Sequence, residues 1–222
     1  MPSPTRNASY YLAGATLSYI GTAIVPVAIS FAVLDSGHGA GALGLVLAAQ
    51  TVPTLALLLF AGVAADRRSR RGIMIRADLF RALAQAVLAA FLILGHAPLV
   101  LMVAVAALIG VGNAFFQPAS GGFLTEIVSR ERLGRTNGLL RMANALAMVI
   151  GPALGGAVVA TTGPGWGIAL DAASYLASAT CLLAIGSAAA SAMPGTRPIG
   201  HDLSEAWRDM RATRWMVPIV CQ

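Results

Sequence analysis

The chain has 222 residues, of which 57% are hydrophobic and only 11% charged, against roughly 25% charged in an ordinary soluble domain. With a mean hydropathy of +0.76, this composition excludes a soluble globular enzyme, a disulfide scaffold, a coiled coil and a disordered chain. The 24 Gly and 11 Pro follow no collagen period. The remaining class is a polytopic membrane protein, and a chain of this length has room for about six spans of about 20 apolar residues.

A formal net charge of +6 suggests nucleic acid at first sight. All 15 basic residues are Arg, however, and they cluster at 67–81, 130–141 and 208–214, with Arg6 and Arg197 apart. The gaps between clusters are two spans long, so the charge reads as topology and not as a nucleic-acid surface.

The first span is expected over Tyr10–Leu34, too long for a cleaved signal peptide. Asp35-Ser36-Gly37-His38-Gly39 is a turn, and the second span covers Gly41–Ala65. The basic stretch Asp66-Arg67-Arg68-Ser69-Arg70-Arg71 follows. The third span runs from Gly72 to Gly95, with Arg76, Asp78 and Arg81 in its first turns. After Gly95-His96-Ala97-Pro98 comes the fourth span, Leu99–Ala119, and then a mixed-charge connection from Glu126 to Arg135. The fifth span is Asn137–Ala160 and the sixth is Trp166–Gly186, with Asp171 near its start. These spans place a transmembrane bundle over residues 1–190. Residues 191–215 form a linker whose Asp202–Trp215 part reads as a surface-lying amphipathic helix, with Leu203, Ala206, Trp207 and Met210 at helical spacing. Residues 216–222 read as the start of a truncated seventh span.

Every Arg-bearing connection falls on one side, and the three opposite turns carry none. The positive-inside rule therefore puts both ends of the bundle in the cytoplasm. Cys181 and Cys221 have no metal-ligand spacing and read as apolar fillers without a disulfide, and His38, His96 and His201 lie in predicted loops. No metal site, cofactor motif or phosphate-binding G-x-x-x-x-G-K-S/T loop is present, and neither is an H-E-x-x-H or G-x-S-x-G motif of an enzyme.

Two motifs go beyond composition. Gly62 lies four residues before Asp66, and Arg67, Arg70 and Arg71 follow. A positive-inside loop needs only the arginines. A carboxylate among them can lock a helix end by charge-assisted hydrogen bonds, and the glycine lets another backbone approach. In the fifth span, Gly151, Pro152, Gly155 and Gly156 suit close packing and a bend. The first motif resembles the signature loop of the major facilitator superfamily, G-x-x-x-D-R/K-x-G-R/K-R/K, with Ser69 in place of its second Gly. The second resembles the antiporter motif of that superfamily's exporters, with Ala147 in place of its first Gly. The strings Gly112–Ala119 and Ala169–Leu176 are similar to the bacterial multidrug, macrolide and siderophore exporter branch.

The resemblance implies an all-α membrane protein of six transmembrane helices arranged as two three-helix inverted repeats, with the amphipathic helix as a cytoplasmic addition. It implies a secondary active transporter in the bacterial inner membrane, which exports drug-like or other amphipathic small molecules by alternating access and is driven by the proton gradient. The carboxy-terminal six-span half would be its partner, in the same longer chain or as a second subunit. The alternative is a non-transporting half-size or truncated membrane protein that needs a partner bundle.

Polar residues inside the spans are the candidate sites, because their burial in lipid is costly. Asn113 and Gln117 share one face of the fourth span. Asn137, Arg141 and Asn144 share one of the fifth, and Asp78, Arg81 and Gln85 one of the third. Asn113, Gln117, Arg141 and Asn144 are candidates for a cavity or gate, with interhelical hydrogen bonding as the plainer reading. Arg141 can also snorkel. Asp78 and Arg81 can form a structural ion pair. Asp35, Asp78 and Asp171 are the candidates for proton coupling; the alternatives are a coupling carboxylate in the carboxy-terminal half, since none of the three sits at a span's centre, and a plain helix-end role for Asp171.

Overall fold

The computed structural model describes residues 4–185, all in six helices and their short connections. These are α1 (Pro4–Asp35), α2 (Ala40–Arg67), α3 (Arg70–Ile93), α4 (Leu99–Ile127), α5 (Arg130–Thr162) and α6 (Pro164–Ala184). The expected linker, amphipathic helix and seventh-span start at 191–222 lie outside the described residues. Five of the helices are long and apolar enough to cross a membrane. The exception is α3, which holds Arg70, Arg71, Arg76, Asp78 and Arg81.

Two expectations need correction. The basic stretch Asp66–Arg71, expected as a loop, is mostly helical, since α2 runs through Arg67 and α3 begins at Arg70, leaving Arg68 and Ser69 between them. The mixed-charge stretch Glu126–Arg135 is not a loop. Glu126 belongs to the last turn of α4, and α5 begins at Arg130, so only Val128 and Ser129 connect them. The charged residues extend both helices, because a helix end beyond an apolar span satisfies its backbone better than a polar loop would.

The turns are explained by local chemistry. At the end of α1 the Gly37 N–H donates to the Leu34 carbonyl (2.9 Å) and the His38 N–H to Val33 (3.2 Å). At the end of α3, Gly95 donates to Leu92 (3.1 Å) and His96 to Phe91 (2.9 Å). Both are Schellman closures, which need a left-handed residue, and Gly37 and Gly95 supply it with φ of 76° and 73°. Ser69 caps α3 by accepting from the Gly72 N–H at 3.2 Å. Its φ is −56°, so the connection requires no glycine there, and the substitution of Ser for the signature Gly leaves the turn intact.

Apart from α3 and α4, consecutive helices are not the main neighbours. The α1 helix packs on α6 and α5, α4 packs on α2 and α3, and α3 packs on α6. Glycines set the closest seams. A Cβ at Gly110 of α4 would overlap the Gln50 carbonyl of α2, and one at Gly151 of α5 would overlap Ala23 of α1. One at Gly155 would lie 3.1 Å from the Ile24 carbonyl, and one at Gly21 of α1 would overlap Ser174 of α6. By contrast, Gly62 and Gly156 face open space, so the close approach expected at Gly62 is not made within the described residues. Pro152 lies inside the continuous helix α5. The α2 and α5 helices flank the bundle, with Val52, Leu55, Leu59, Met148 and Val149 exposed.

Candidate functional site

The interior holds three charged side chains among the described residues: Asp78 and Arg81 of α3 and Asp171 of α6. The Arg81 guanidinium pairs with Asp78 one turn earlier and donates from Nη1 to Asn113 Oδ1 of α4 at 2.8 Å. It lies between the rings of Phe116 (α4) and Tyr175 (α6), 4.3 Å from each centroid. Gly112 makes room for the Arg81 stem, which a Cβ would press. The ion pair, the amide and two ring faces together compensate a cation that lipid-like surroundings would otherwise penalise.

Asp171 is fully buried two turns inside α6, not at its end. Its Oδ2 accepts from Gln85 Nε2 of α3 at 2.8 Å, and its Oδ1 accepts from the Thr22 hydroxyl of α1 at 3.2 Å. Ser174 Oγ stands 3.5 Å from the same oxygen, and Thr22 also hydrogen-bonds Tyr175 at 3.2 Å. Asp171 thus ties α1, α3 and α6 with neutral donors. The Thr22, Gln85 and Asp171 side chains border a cavity of about 110 Å³, together with Gln50 and apolar walls such as Ile29 and Met102.

Of the other sequence candidates, one belongs to this centre and the rest lie apart from it. Asn113 joins it. Gln117 is exposed. Arg141 and Asn144, with Asn137, line a separate groove of about 200 Å³ between α1, α4 and α5, opposite Tyr11, Tyr19 and Ser120. Asp35 is exposed at the end of α1, away from the other two carboxylates.

The arginine motif fastens one end of the bundle. Arg70 pairs with Glu126 at the end of α4, 3.1 Å apart, and its guanidinium lies where a Cβ on Gly122 would sit. Arg71 donates to the last carbonyls of α6, Leu182 (2.8 Å) and Leu183 (2.9 Å). Both carbonyls lie in the last turn of the helix, where Leu182 also accepts from the Ile185 N–H at 3.3 Å, and a cation there meets the negative end of the helix dipole. The motif therefore joins α3 to both α4 and α6.

Sequence reasoning placed Asp78, Arg81 and Gln85 on one face but missed Phe116 and Tyr175 as partners of Arg81 and Thr22 as a partner of Asp171. The available signal was the spacing of Asp171, Tyr175 and Ser178 along one face of α6. Gly112 opens one of the exporter-like strings, whereas Gly110 and Gly122 carry no pattern that separates them from the other glycines.

Residues 4–221 match the family described as transmembrane secretion effector. The chain is 33% identical over 150 residues to the multidrug efflux pump Tap of Mycolicibacterium fortuitum, covering 64% of this chain and 36% of that protein. It is 36% identical over 111 residues to the lysophospholipid transporter LplT of Photorhabdus laumondii, covering 48% and 26%. It is 28% identical over 142 residues to macrolide efflux protein A of Streptococcus pyogenes, covering 64% and 35%. The matches thus span well under half the length of these relatives. The apolar helices and the match together make this a multi-pass membrane protein, and the chain belongs to the transmembrane secretion effector family of the major facilitator superfamily of transporters.

Proposed function

We propose that this chain is the amino-terminal six-span bundle of a proton-coupled exporter of drug-like or other amphipathic small molecules. The observation that carries the reading is a buried ionic and amide network inside an otherwise apolar bundle of this family. Intramembrane ionisable groups are costly and mark substrate or ion pathways. Two relatives are named as drug or macrolide efflux proteins, which favours amphipathic drugs as cargo.

The two inverted repeats are α1–α3 and α4–α6. Exchange of one trio for the other carries the α1–α5 seam onto α4–α2, the α1–α6 seam onto α4–α3, and α3–α6 onto itself. Those are the main seams of the bundle. The Arg-rich ends of α2, α3 and α5 face the cytoplasm. The exposed α5 face with Arg141 and Asn144, Gln117 on α4, and Gly62 and Gly156 in open space are the surfaces against which a second six-span bundle closes. Substrate sits between the two bundles near the midplane. Alternating access rocks one bundle against the other, with the Gly62–Arg71 segment and the Gly151–Gly156 segment setting the two states. Antiport means that proton entry drives drug exit, and the candidate carriers are Asp35, Asp78 and Asp171.

Everted membrane vesicles from cells that express the complete gene test this. Labelled erythromycin and ethidium are offered under an imposed pH gradient. Accumulation that collapses when the gradient is dissipated supports the reading. Vesicles indistinguishable from controls for both probes refute efflux of this class, and accumulation indifferent to the gradient refutes proton coupling.

A further inference from the structure

We propose that Asp171 is the proton acceptor of this bundle and that the Thr22 hydroxyl is the port through which the proton reaches it. The inference rests on the proton-coupled reading above and selects one carrier among its three candidates.

The first argument is charge balance. The charged side chains buried among the described residues are two carboxylates and one guanidinium. Arg81 is bonded to Asp78, and the rings of Phe116 and Tyr175 enclose it. Asp171 receives only neutral donors, from Gln85, Thr22 and Ser174. The interior therefore carries one surplus negative charge on Asp171, and an uncompensated charge in such surroundings is neutralised rather than tolerated. The groups that face it from each packed element are Thr22 of α1, Gln85 and beyond it Arg81 of α3, and Ser174 and Tyr175 of α6. No charged residue of α2, α4 or α5 is buried beside it.

The second argument is access. Asp171 and Tyr175 are shielded from solvent, at 0% and 1% exposure. Thr22 is exposed, yet its hydroxyl already donates to Asp171 Oδ1. It borders the cavity of about 110 Å³ whose wall also includes Asp171, room for three or four waters at about 30 Å³ each, but of the two only Thr22 keeps accessible surface. A hydronium there gives a proton to Thr22 Oγ1 while the hydroxyl proton moves to Asp171 Oδ1. One O–H bond breaks and one forms at each stage, a water remains, and the carboxylate becomes a neutral acid. Asp35 needs no such port, being exposed, and Asp78 already has its cation.

Neutralisation has a mechanical consequence. The bonds from Gln85 and Thr22 lose their ionic assistance, which is about half their strength. They hold α3 and α1 to α6 beside Gly21, where α1 lies tightest on Ser174. Loading the proton thus loosens the α1–α6 seam.

The test uses the complete protein in proteoliposomes with an internal pH-sensitive dye and whichever of erythromycin or ethidium the wild type moves. Asp171→Asn should lose pH-driven uphill transport by at least tenfold while retaining drug counterflow, which needs no proton. Thr22→Val should slow proton-coupled transport about tenfold, and Thr22→Ser should restore it. Infrared difference spectra on lowering pH, taken without drug, supply a second reading: a protonated-carboxyl band absent in Asp171→Asn and displaced in Thr22→Val. Wild-type transport without proton movement sinks the broader reading. Proton-coupled wild type with an equally coupled Asp171→Asn, or an unchanged infrared band in that variant, overturns Asp171 as acceptor. A Thr22→Val protein with wild-type coupling and an undisplaced band overturns the port.

Discussion

Arg81→Met is the substitution whose cost the structure specifies best. It strips Asp78 of its cation, leaves Asn113 Oδ1 without its donor and empties the space between two rings. Both members of the pair are buried, at 6% and 0% side-chain exposure. Removing one partner of a buried pair costs about 3–5 kcal/mol, whereas replacing both by apolar groups is often neutral. At about 2–4 °C per kcal/mol for a chain of this size, Arg81→Met lowers the unfolding midpoint by roughly 6–20 °C. The double variant Asp78→Leu/Arg81→Met recovers most of that loss. Thermal unfolding of the detergent-solubilised protein, followed by tryptophan fluorescence, measures all three midpoints. If the double variant is no more stable than Arg81→Met alone, the argument from pairing fails.

The glycine seams make a contrasting set. Gly110→Val and Gly151→Val drive side chains into Gln50 and Ala23 and should each cost about 1–3 kcal/mol. Gly62→Ala and Gly156→Ala meet open space and should stay within about 0.5 kcal/mol in the same melt, while slowing transport if a second bundle closes there. Arg71→Ala uncaps α6, and hydrogen exchange should speed up at Leu182 and Leu183 but not in the middle of α6. Glu126→Gln removes a partly exposed pair with Arg70 and should change stability by no more than about 1 kcal/mol. For orientation, single cysteines at His96 and at Ser129, in a background without the native ones, should label from opposite sides of intact cells, His96 from outside.

Much of this architecture was legible because hydropathy and charge report on the solvent around each helix. Apolar runs of span length, broken by Gly-His turns or by arginines, placed all six helices in order. The Glu126–Arg135 stretch misled because charged residues read as loop, although charges beyond a span readily continue a helix. The site was legible only in part. Asp78, Arg81 and Gln85 share a face by local periodicity, so one sequence shows it. That Gln85 meets Asp171, and Arg81 meets Asn113, depends on how α3 settles between α4 and α6, and no local pattern contains that. Thr22 carries no motif at all; its importance comes from standing exposed on α1 one hydrogen bond from a buried carboxylate. The same limit applies to glycine: Gly62 belongs to a signature and touches nothing here, whereas Gly110 and Gly122 belong to none and set a seam and a cradle.

The central claim is that proton entry drives export, and simultaneous recording of proton and drug flux in proteoliposomes tests it most directly. The account predicts that each imposed pH gradient drives drug uphill, and that a drug gradient alone drives protons the opposite way in fixed proportion. Drug movement with no accompanying proton flux in either direction would contradict it.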